Sequence, residues 1–107
     1  MAAITCDWPV SDTQTLAFEV YGDNEEWNDV PGVYLFCCLK SNYWEALYVG
    51  QTDSFSDQLT NHERHGEAAR DGATHIHVLV ERSKAKRDQI ERSLIQYLQP
   101  PMNDYCP

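Results

Sequence analysis

Two runs of β-type residues, GVYLFCCL at residues 32–39 and ALYVG at 46–50, are joined by a short polar stretch with a turn inside SNYWE. Two such strands so closely linked pair as an antiparallel hairpin. The pleat fixes the rest of the local geometry. Cys37 and Cys38 are adjacent in a strand, so they point to opposite faces and cannot form a metal-binding pair. After the hairpin, Asp53 or Ser54 can cap a helix on which Phe55, Leu59 and His62 recur at helical spacing, with Gly72 as a plausible stop. HIHVLVE at 75–81 alternates, with Ile76, Val78 and Val80 on one face and His75, His77 and Leu79 on the other, which predicts a third strand. Ser83 can cap a last helix that Pro100 and Pro101 must end.

The remaining sequence, residues 1–30, is an acidic extension of turn formers and short apolar pieces, of which TLAFEVY at 15–21 fits a strand and GDNEEWNDVPG a loop. A chain of 107 residues suits one domain, 1–107, with one core. No apolar run approaches the roughly 20 residues of a membrane span, and MAAITCDWPVSD has neither the basic nor the apolar segment of a secretory signal. The expectation is a cytoplasmic protein with no membrane contact, whose four cysteines are reduced thiols.

The formal charge of −9 opposes binding to a polyanion, which calls for a basic surface and release of counterions. The charge is uneven, however. No Lys or Arg precedes Lys40, whereas five of the eight, namely Arg82, Lys84, Lys86, Arg87 and Arg92, lie in one segment. Lys84, Lys86 and Arg87 load the start of a helix with positive charge, against the dipole preference, and are the candidate phosphate contacts. The acidic N-terminal third suits a protein partner instead.

Glu91 falls on the apolar stripe of Leu94, Ile95 and Leu98. A carboxylate there is costly unless it is paired, protonated or bound to metal. Two readings stay open: an i,i+4 ion pair with Arg87, or a single-carboxylate anchor for a hard cation such as Mg²⁺. Tyr34 and Tyr48 sit in the hairpin strands, where packing alone favours aromatic residues. His75 and His77 share a strand face, so zinc is conceivable, but no cysteine or carboxylate spacing supports a structural zinc site.

The triplets Gly32-Val33-Tyr34 and Tyr48-Val49-Gly50 on neighbouring strands, followed by QT, a polar turn, a helix with leucine and histidine, a third strand and IERSLIQYLQPPMN, resemble the GIY-YIG nucleases. The resemblance covers a motif-bearing core of about residues 31–104. It implies an α+β fold, a small three-stranded antiparallel sheet flanked by helices, and one-metal hydrolysis of a DNA phosphodiester with Mg²⁺ or Mn²⁺. In family terms Glu91 binds the metal, Tyr34 positions or deprotonates the attacking water, Tyr48 contacts phosphate, and Asn103 holds the local architecture. Neither tyrosine is acidic enough to act as a base unaided at neutral pH, so the metal or His62 must help.

The resemblance also exposes a departure. Counting from Gly50 to Leu59 and His62, the family's catalytic arginine belongs at position 58, and this chain has Gln58. Arginine brings a permanent charge and a planar fork to phosphate, whereas glutamine brings a neutral amide. The substitution fits an engineered silencing, a natural loss in which the scaffold becomes a non-catalytic protein- or nucleic-acid-binding module, or compensation by another cation. The expectation is an endonuclease-type site that is weak or inactive.

Overall fold

A computed structural model of the chain describes residues 4–22, 26–60 and 72–103. In chain order the elements are β1 (Thr5–Pro9), β2 (Thr15–Gly22), β3 (Gly32–Lys40), β4 (Tyr43–Thr52), α1 (Phe55–Thr60), β5 (His75–Val80) and α2 (Lys84–Leu98). The strands form one antiparallel sheet in the order β1-β2-β5-β3-β4. This α+β architecture has the expected class but five strands rather than three. The difference lies in the acidic extension, which supplies a hairpin that pairs onto β5 through Glu19↔Val78 and Val20↔His77. Its inward residues Trp8, Leu16 and Phe18 are what the hairpin gains by docking, for Trp8 and Phe18 are buried in the core.

The β3–β4 hairpin turns at Ser41 and Asn42, both with positive φ (46° and 74°), as a two-residue turn compatible with strand twist requires. Residues 32–38 of β3 are all buried, because elements cover both faces of the sheet. On one face Tyr34, Phe36, Ile76 and Val78 pack beneath Phe55 and Leu59 of α1 and against Met102. On the other Val33, Leu35, Cys37, Val49 and Phe18 pack against Leu94 of α2. Gly32 is required where α1 meets the sheet: a Cβ there would lie 2.2 Å from the Leu79 carbonyl oxygen and 2.4 Å from the Phe55 ring.

Ser54, not Asp53, caps α1, its Oγ accepting from the Asp57 N–H at 3.3 Å. The next free donors, the N–H groups of Phe55 and Ser56, reach the carbonyls of Val30 and Asn28. This ties the segment before β3 to the start of α1. Ser83 caps α2 through the Lys86 N–H, and the helix closes at left-handed Gln99 (φ 47°) ahead of the two prolines. No helix among the described residues is long and apolar enough to cross a membrane.

Candidate active site

The site begins with a close approach between strands. Tyr34 on β3 stands opposite Gly50 on β4, and a Cβ on Gly50 would lie 2.5 Å from both Cζ and Oη of the tyrosine. The absence of a side chain at position 50 is therefore what lets the phenol lie over β4. Tyr48, two residues back on the same face, has its ring centroid 6.3 Å from that of Tyr34 and stacks on Phe36 at 5.7 Å. Gln58 on α1 hydrogen-bonds the Tyr34 phenol. Glu91 on α2 is within electrostatic reach of the same group. The structure thus brings Tyr34, Tyr48 and Gln58 together from two strands and one helix, with Glu91 of α2 within electrostatic reach of the phenol.

Burial raises the pKa of Tyr34 well above the usual phenol value, and Tyr48 and Glu91 raise it further. The hydrogen bond with Gln58 opposes these effects by favouring the ionised form. At neutral pH Tyr34 holds its proton. The Glu91 carboxyl is also pushed up, first by burial and then by Asp88, with Lys84 acting the other way. Among the described residues Glu91 makes no ion pair.

Asn103 reaches the site from beyond α2. Its Oδ1 accepts from the Val49 N–H and its Nδ2 donates to the Val49 carbonyl, both at 2.9 Å, so one amide side chain pairs with the outer edge of β4 between Tyr48 and Gly50. The Met102 N–H adds a bond to the Leu47 carbonyl at 3.0 Å.

No family model matches the chain, and no curated protein matches it. Solved structures do. The magnesium-bound GIY-YIG N-terminal endonuclease domain of UvrC from Thermotoga maritima aligns over 73% of this chain and 88% of its own, at 22% identity and a TM-score of 0.60. A point mutant of that domain, bound to its catalytic divalent cation, aligns over 74% and 88%, at 20% identity and a TM-score of 0.61. The fold is that of a GIY-YIG domain.

Within this fold the basic segment divides. Lys84 and Lys86 are exposed, and Lys84 Nζ lies 3.3 Å from Asp88 Oδ1 one turn on. Arg87 departs from the expected surface cation, being only 3% exposed. Its Nε donates to Gln51 Oε1, its Nη1 to the carbonyls of Glu81 and Arg82, each at 3.1 Å, and its Nη2 to Asp53 Oδ1 at 2.6 Å. A guanidinium with its donors committed inside the protein is not available to phosphate. It is not the partner of Glu91 either; it fastens α2 to the end of β4 and the start of α1. A signal for this was present, since Arg87 stands at i−3 from Ile90 and i−7 from Leu94, on the buried side of the helix.

His62 lies outside the described residues. His77 is fully buried and accepts at Nδ1 from the Trp8 indole at 2.9 Å, with the Trp44 ring edge-on at 4.6 Å. This makes it a packing residue of the face opposite Tyr34. No group of three or more His, Cys, Asp or Glu suited to a metal occurs among the described residues. Among the described residues, then, Glu91 alone would hold a metal at this site, with waters completing its shell, an arrangement that suits Mg²⁺. The donor chemistry fits: a half-buried carboxylate, further crowded by Asp88, gains from a nearby cation.

Proposed function

We propose that this GIY-YIG domain is a DNA endonuclease domain built for one-metal phosphodiester hydrolysis, with Mg²⁺ or Mn²⁺ at Glu91, and that Gln58 leaves it weak or silent. The observation that carries the reading is the Tyr34 phenol set against Gln58, with Glu91 within electrostatic reach. A bound divalent cation supplies Lewis-acid stabilisation of charge on the phosphoryl oxygens. The protein's own groups do the rest. Glu91 anchors, and Tyr34, protonated at neutral pH, orients the attacking water by hydrogen bonding. Tyr48 contacts a phosphate oxygen, while Asn103 fixes the strand that carries Tyr48. His62, four residues beyond Gln58 in sequence, is the candidate proton acceptor. Lys84 and Lys86 provide the cationic contact with DNA, which the net charge of −9 keeps modest. The setting that goes with this reading is cytoplasmic.

Among the described residues no cation stands at position 58, where a fixed positive charge would face the phosphate. Gln58 spends its amide on Tyr34 and brings none. Loss of one preorganised donor costs on the order of 10²- to 10³-fold in rate. The test is Mg²⁺-dependent nicking of supercoiled plasmid by the original chain, Gln58→Arg, and Gln58→Arg with Glu91→Ala, at matched concentration. The single variant should cut roughly 10²-fold faster or more, and the double variant should return to background. If Gln58→Arg folds, binds Mn²⁺ and cuts nothing, the scaffold is a non-catalytic binding module.

A further inference from the structure

On the same sheet face as Tyr34, but two strands away, lies a second concavity. Glu19, Val78 and Tyr34 form one row across β2, β5 and β3, and the concavity sits at the Glu19 end, separated from Tyr34 by Val78. Its volume is about 260 Å³. Tyr21, Trp27, Phe55 and Val80 give it aromatic and aliphatic walls, and Glu19 and Glu26 bring two carboxylates. The walls are ordered by one another: the Tyr21 and Trp27 rings meet edge to face at 5.5 Å, and Trp27 lies 6.3 Å from Phe55. Tyr21 Oη donates to Glu19 Oε2 at 2.8 Å, which holds that carboxylate at the rim. No Lys or Arg among the described residues lines the cleft.

We propose that this cleft binds one basic side chain, an arginine or lysine, presented by a partner polypeptide. Three features select that occupant. The volume falls below the roughly 300 Å³ at which drug-sized pockets begin, so it suits one side chain rather than a cofactor. The walls combine apolar surface for an aliphatic stem with aromatic rings that attract a cation. The carboxylates complete a charge-assisted pair, and a carboxylate accepts up to about four hydrogen bonds, so Glu19 keeps capacity beyond its tyrosine. The same carboxylates repel phosphate, which sets the cleft off the path of any nucleic acid and makes the inference independent of the nuclease reading.

The experiment uses the full chain labelled with ¹⁵N and two short peptides, acetyl-Gly-Arg-Gly-amide and its citrulline counterpart, which keeps the shape and loses the charge. The arginine peptide should shift the Trp27 indole N–H resonance saturably at low salt, with Kd on the order of 1 mM, as one anchored side chain allows. The citrulline peptide should bind at least about tenfold more weakly, as should the arginine peptide to Glu19→Gln combined with Glu26→Gln, two isosteric changes at the rim of the cleft. Equal binding of the two peptides overturns the proposal. So does binding unaffected by the double variant, or shifts centred on Tyr34 and Gln58 instead of Trp27.

Discussion

Arg87 and Asp53 are paired across a gradient of solvent: the arginine side chain is 3% exposed and the aspartate side chain 88%. The two ends of the ion pair therefore carry unequal weight. Asp53 is one of several acceptors, and in water it loses little on parting. Arg87 satisfies Gln51 and two backbone carbonyls as well, so its removal leaves buried acceptors unpaired. Asp53→Asn should cost under about 1 kcal/mol in urea denaturation. Arg87→Leu should cost roughly 3 kcal/mol, with Arg87→Lys in between because lysine lacks the fork. Equal losses for Asp53→Asn and Arg87→Leu would contradict this account.

The contact of Tyr34 with Gly50 makes a paired prediction. Gly50→Ala places a methyl group into the tyrosine ring, and overpacking of this kind typically costs about 1–3 kcal/mol. Gly22→Ala meets no atom within 4 Å and should shift stability by less than about 0.5 kcal/mol. Near-ultraviolet circular dichroism should report a changed tyrosine environment in the first variant and none in the second.

His77 sets an acid limit. Burial, with a smaller effect from His75, lowers its pKa to about 4, against a usual value of 6.5. Between those values the unfolded chain binds a proton that the folded chain refuses, so stability is full above about pH 6.5 and falls as pH drops toward 4. Below that this residue costs nothing further. The span corresponds to a loss on the order of 3 kcal/mol. The ring resonances of His77 should titrate with a midpoint near 4 in the folded protein; a midpoint near 6.5 would remove the basis for the effect.

Much of this was written in the local pattern. The uninterrupted apolar run of β3, the alternation of β5 and the two serine caps are short-range signals, and each element formed where its signal lay. The stripe that contains Glu91 likewise pointed into the structure. Two features were less legible, for different reasons. β1 contains Asp7 and Pro9 and lies at the sheet edge, where exposure permits polar residues and proline, so its five residues resemble a loop. The burial of Arg87 depends on acceptors from Gln51, Asp53, Glu81 and Arg82, which only the folded chain assembles, whereas its charge suggested the surface. Gln58 is a third kind of case. Its position followed from spacing, but its hydrogen bond to Tyr34 depends on how α1 lies over the sheet.

With Arg87 committed to the interior, Lys84 and Lys86, beside the exposed Arg82, are the helix cations at this end for any polyanion. Converting both to glutamine should weaken binding to duplex DNA several-fold at low salt and flatten the dependence of log K on log salt by nearly two phosphate contacts' worth. The folded stability should change by less than about 0.5 kcal/mol. Fluorescence anisotropy over a salt series checks both slope and affinity; an unchanged slope removes these lysines from the interface.

The position of β5 has a consequence for how the protein comes into being. Among the described residues it is the last strand in sequence and the middle strand of the sheet. A growing polypeptide leaves the ribosome with two hairpins, β1–β2 and β3–β4, that share no hydrogen bond until residues 75–80 emerge between them. Two-stranded hairpins are marginal alone, so neither waits in a finished state. Glu19 must wait for Val78, and Trp8 for His77, before the β1–β2 hairpin has a partner. Assembly is therefore a late and concerted event with long loops to close, slow for a chain of this size.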